Sequence, residues 1–112
     1  MRLVKRQELM ALPAGTLFAE LYEQWVFGGL QLKGETFGTD GKNWDFWVRS
    51  LDWPGADDTG MAIGRLEEMS QDSSVSYPAE YAHARHGLYD DERMYLVYEA
   101  ADTQALIEEL GA

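Results

Sequence analysis

Residues 15–53 read GTLFAELYEQWVFGGLQLKGETFGTDGKNWDFWVRSLDW. Apolar and polar residues alternate through the stretch, and Gly28-Gly29 and Asp40-Gly41 interrupt the runs. Period-two alternation sets one side of an extended chain against a core and the other in water, so the stretch predicts a meander of antiparallel strands. Leu17–Tyr22 forms the first strand, and a second begins at Trp25. Gly28-Gly29 either closes a tight turn or marks a bulge where the backbone bends. Leu30, Leu32 and Thr36 then share one face, with Gln31, Lys33 and Glu35 on the other. Asp40-Gly41 is a hairpin turn. The strand from Trp44 to Leu51 places Trp44, Phe46, Val48 and Ser50 on one side and Asp45, Trp47, Arg49 and Leu51 on the other.

The flanks read as helices and short strands around this meander. Leu3 and Val4 form a strand or lead-in, and a short helix follows from Lys5 to Leu12, stopped by Pro13. Trp53-Pro54-Gly55 ends the meander. Asp57, Asp58 or Thr59 then caps a helix over 61–71, whose Met61, Ile63, Leu66 and Met69 recur near helical spacing. Residues 75–89 carry no clear period; 80–86 reads as a helical turn or an ordered loop. Met94–Tyr98 is a strand, and Asp102 caps a last helix with Leu106, Ile107 and Leu110 as its buried stripe. Gly111 fits its C-terminus. The order predicts one α+β domain over 1–112. Its antiparallel sheet has about four to five strands, curled or barrel-like, with short flanking helices.

Composition narrows the function. A chain of 112 residues buries a core without staples, and it has no cysteine for a disulfide, a thiol nucleophile or a cysteine zinc site. The charged N-terminus does not read as a signal peptide, and no segment reads as a membrane span. A cytoplasmic protein is expected, with no membrane partner. The net charge is −11. Residues 1–56 hold seven acids against six bases, whereas 57–112 hold thirteen acids against Arg65, Arg85 and Arg93. Phosphate binding needs clustered bases, so direct binding of nucleic acid is not expected. The acidic half suits a protein partner with a basic surface, and it also suits plain solubility.

No catalytic constellation stands out. His83 and His86 have a spacing that could hold a metal on a helix, but no third ligand is evident. Asp57-Asp58 and Asp90-Asp91-Glu92 lack the alternating ligands of a calcium loop and read as a cap and a charged turn. There is no nucleophile elbow and no phosphate loop. No catalytic residue, metal or cofactor is therefore expected. The aromatic residues exceed what a small core needs, so some are expected at the surface as interface anchors or ring-stacking platforms. Trp47, on the mixed face with Arg49, is the preferred one. With Lys33 and Arg49 it makes a nucleotide-sized anion-plus-ring site if the register allows.

The blocks LPAGTLF (12–18), FGGLQLKGE (27–35), Asp45-Phe46 and RHGLYDD (85–91) resemble a group of short uncharacterised phage and prophage proteins. The resemblance runs through most of the chain and carries over no site residue. It implies an accessory or host-takeover factor such as an anti-defence inhibitor, anti-CRISPR proteins included, acting in the host cytoplasm. The leading expectation is thus a small acidic, non-enzymatic inhibitor of a host protein. Asp57, Asp58, Glu67, Glu68, Asp90, Asp91 and Glu92 would occupy a basic groove as a nucleic-acid mimic. The alternative is a protein that sequesters a nucleotide signal through Trp47, Lys33 and Arg49. A homodimer is open in either case.

Overall fold

The computed structural model describes residues 1–52, 54, 56, 58–79 and 83–111. Asp57, Trp53 and the 80–82 part of the expected turn lie outside the described residues. The elements run β1 (Arg2–Lys5), α1 (Arg6–Ala11), β2 (Leu17–Glu23), β3 (Val26–Thr39), β4 (Lys42–Ser50), α2 (Thr59–Gln71), β5 (Ala84–Arg85), β6 (Met94–Val97) and α3 (Ala100–Glu109). The strands form one curled sheet in the order β1-β6-β2-β3-β4-β5, each neighbouring pair antiparallel. The domain is α+β, as its pattern predicts. The sheet has six strands because the two-residue β5, in a stretch without periodicity, pairs Trp47 with Arg85 and Val48 with Ala84.

Irregular pairing bends the sheet. Ala19 opposes Leu30 but Leu21 opposes Phe27, so β3 carries an extra residue at Gly28-Gly29. Of the two readings of that pair, the bulge is the one formed. A second extra residue falls at Gly34-Glu35, where Lys33 opposes Val48 and Thr36 opposes Phe46. A third sits on β4 at Trp44. Each extra residue kinks its strand and raises the local twist. Gly34 also lets Trp47 lie close: a Cβ there would come within 2.9 Å of the Trp47 Cβ.

The core lies between the sheet and α1. Val4, Leu9, Met10, Phe18, Phe46, Val48, Tyr95 and Val97 form it. Phe18 meets Phe46 and Tyr95 edge to face, at 6.2 and 5.8 Å between ring centres. Burying such side chains stabilises the fold by roughly 1.5–3 kcal/mol each.

With α1 in that place, α2 and α3 stand off. Ala62 is the one buried residue of α2, and α3 has none. Ile63, Leu66, Ile107 and Leu110 are exposed, so the buried stripe expected on α3 is not formed. The radius of gyration is 15.7 Å, against about 13 Å for a compact chain of this length. No described helix is long and apolar enough to cross a membrane.

Candidate functional site

Asp45 is the centre of the polar architecture. Alternation places it on the wet face, yet it is fully buried. The segment after β5 folds over it. The N–H groups of Phe46 (2.9 Å) and Gly87 (3.2 Å) donate to Oδ1, and Arg85 Nε and the Tyr89 hydroxyl donate to Oδ2, both at 3.2 Å. The buried Arg6 guanidinium lies 3.7 Å away. Burial alone pushes the Asp45 carboxyl up, but the four hydrogen bonds outweigh it and hold its pKa below the ordinary carboxylate value. Phe37, Trp44 and Trp47 pack on the same face, and Arg85 lies over the rings of Phe37 and Trp44. The bulge at Trp44 brings that ring out to Phe37 and Tyr89. Every polar contact of Asp45 is internal, which marks it as a fastening for residues 85–89.

The two histidines diverge. The His86 side chain is 4% exposed, stacks on Phe46 at 4.5 Å and approaches Glu20 at 3.7 Å. His83 is exposed and stacks on Trp47 at 6.4 Å. No cluster of three metal-ligating side chains occurs among the described residues.

Trp47, Lys33 and Arg49 do not form the expected triad. Trp47 is 37% exposed, and Arg49 pairs with Leu32 on the same face. Lys33 pairs with Val48, so its side chain enters the core, where it is 2% exposed. The following bulge keeps Thr36 on that inner face as well, and the strict period-two reading fails at this point. The Lys33 ammonium donates to the Gly34 carbonyl (3.0 Å) and Thr36 Oγ1 (2.8 Å), 5.7 Å from the Phe46 ring centre. Burial pushes its pKa down, and the negative Glu35 acts in the opposite sense. Arg49 instead lines a cleft of about 280 Å³ with Ala14, Gly15, Leu32, Lys33, Glu35 and His83.

The acidic candidates separate into two groups. On α2, Asp58 is the N-cap and accepts from the Met61 N–H at 2.7 Å, Glu67 is exposed, and Glu68 accepts from the Tyr77 hydroxyl. In the 90–92 turn, Asp90 accepts from the Glu92 N–H (3.0 Å), Asp91 from Gln7 (3.1 Å) and Glu92 from Lys5 (2.8 Å). No hydrogen bond or ion pair among the described residues joins the groups.

Among the described residues the most exposed aromatic is one that alternation did not single out. The β2–β3 hairpin turns through Gln24-Trp25, and Glu23 opposes Val26. Trp25 is 69% exposed with φ 64°, a left-handed conformation that is an outlier for a bulky residue. Tyr22 (55%), Val26 (50%) and Phe27 (37%) extend the apolar tip. At its base a hollow is lined by Tyr22, Glu23, Asp90, Glu92 and Arg93, and Arg93 donates to the Leu21 carbonyl at 3.1 Å. The run YEQWVF carries the signal: an aromatic residue stands where two strands need a turn, and no Gly or Asn is there to take the left-handed position.

Comparison with known proteins finds no matching family model, no similar curated protein and no similar solved structure.

Proposed function

We propose that this is a non-enzymatic binding protein of phage type. The β2–β3 tip docks on a host protein, a defence component in the fullest form of the reading, and inhibits it. One observation carries the docking surface. Four exposed apolar residues crown a hairpin, and Trp25 holds a left-handed backbone at a cost of about 1–2 kcal/mol. That cost brings Trp25 no burial in the free chain. A rigid aromatic anchor entering a partner pocket gives it a return. Glu23, Asp90 and Glu92 at the base match a basic rim and speed the encounter. Nucleic-acid mimicry is the weaker form of the reading, because Asp91 is already engaged by Gln7 and Arg6 of α1. The phage context rests on the resemblance of the sequence blocks.

The test is capture from bacterial lysate by wild type, Trp25→Ala and the Glu23→Lys/Glu92→Lys double variant, at low and high salt. A retained protein with a basic surface, lost from Trp25→Ala at every salt and released from wild type as salt rises, is the expected result. The same retained set from all three proteins refutes the reading.

A further inference from the structure

The cleft over β3 and β4 is lined by two cations that form no ion pair with a carboxylate among the described residues. Arg2, Lys5, Arg6, Arg85 and Arg93 each lie within 3.7 Å of a carboxylate. Among the described residues Lys33, Lys42, Arg49 and Arg65 have no such partner, and Arg65 lies over Tyr77. Two of these four, Lys33 and Arg49, line this one cleft.

Arg49 lines the cleft, and a guanidinium matches a phosphate with a planar fork. The Lys33 ammonium, on the inner side of the same strand, adds positive potential behind the wall. The His83 ring lines the cleft and stacks nearly parallel on Trp47, 23° apart. One acid, Glu35, lines the cleft and disfavours a ligand of high negative charge.

We propose that the cleft binds a nucleoside monophosphate, with its phosphate on Arg49 and its base against His83, which Trp47 backs. This site is separate from the docking tip, and Trp25→Ala leaves it intact.

The test is calorimetric titration with AMP, GMP, CMP and UMP, beside inorganic phosphate, adenosine and ATP. At least one monophosphate binds more tightly than phosphate, adenosine or ATP. Arg49→Ala weakens that binding by about tenfold or more, and Arg49→Lys restores only part of it. Trp47→Leu weakens the monophosphate more than inorganic phosphate. Circular dichroism and melting temperature confirm that the variants are folded. No heat from any monophosphate up to about 1 mM, a range that reaches weak binding, overturns the proposal. So does unchanged affinity in a folded Arg49→Ala protein. Phosphate binding as tightly as every monophosphate overturns the ring contact.

Discussion

Asp45→Asn tests the polar centre of the fold most directly. The variant keeps an acceptor oxygen for the Phe46 and Gly87 N–H groups, which now meet it at 2.9 and 3.2 Å. It loses the charge facing two guanidinium groups. Arg85 is 48% exposed, so water replaces much of what it loses. Arg6 is 3% exposed and has no such recourse. Removing one partner of a buried pair costs about 3–5 kcal/mol. The retained hydrogen bonds place Asn at the lower end, about 3 kcal/mol at pH 7. With a urea slope of about 1–3 kcal/mol/M, the unfolding midpoint falls by roughly 1–3 M, read by tryptophan fluorescence. The acid limb gives a second reading. The folded pKa of Asp45 is depressed, so its stabilisation is complete above the unfolded carboxyl value of about 3.9 and is lost as pH falls through the lower folded pKa. The gap between wild type and Asp45→Asn therefore narrows below about pH 4. A loss under about 1 kcal/mol at pH 7, or a gap constant down to pH 2, refutes the assignment of Asp45 as the fastening of residues 85–89.

Further outcomes follow from single positions. Trp25→Gly, measured by urea unfolding, raises stability by about 0.5–1 kcal/mol while abolishing partner capture, because relief of the left-handed strain exceeds the added chain entropy of glycine; a destabilised variant means that Trp25 serves the fold. Lys33→Met is neutral or stabilising by about 1 kcal/mol at pH 7, since a buried cation without an acid gives way to an apolar chain of similar length. The Lys33 pKa is lowered on folding, so wild-type stability rises as pH climbs through the folded pKa toward the unfolded 10.5, and Lys33→Met removes that rise. Burial raises the pKa of the Tyr95 hydroxyl and lowers stability above about pH 10 in both proteins, so the comparison is made below that. Gly38→Ala costs more than about 2 kcal/mol by thermal melting, because its Cβ would enter the Lys42 carbonyl across the hairpin.

Period-two alternation made the meander legible, and the Asp40-Gly41 turn and the short helix before Pro13 were readable from local chemistry. Those signals depend on residues within a few positions of one another. The contacts that escaped are those that bulges and distant segments create. Lys33 faces the core because β3 pairs it with Val48, and the bulge that follows carries Thr36 to the same side. No feature of Lys33 itself announces that. Asp45 is covered by residues 85–89, some forty positions away, and a carboxylate in a strand gives no sign of the arginine that will reach it. The stripes on α2 and α3 were real as periodicity, but periodicity says only that a face is apolar. Whether another element covers it depends on space, and α1 already packs against the core.

The positions where local rules are broken divide according to whether the fold compensates them. Asp45 breaks the strand pattern, and four hydrogen bonds and the buried Arg6 compensate it within the chain. Substituting it should therefore destabilise the fold before it alters any interaction. Trp25 and Arg49 lack such compensation. One holds a bulky ring in a left-handed conformation in open water, and the other lines a cleft with no carboxylate paired to it among the described residues. A conflict left unresolved inside the molecule points to a partner outside it. The two also call for partners of different kind, an apolar pocket with a basic rim for the tip and a small anion for the cleft. Val26 and Leu32 are six residues apart on β3, roughly 20 Å along an extended strand, far enough for each site to be filled or emptied without the other. Binding at the tip that survives loss of Arg49, together with nucleotide binding that survives loss of Trp25, is the behaviour this geometry requires.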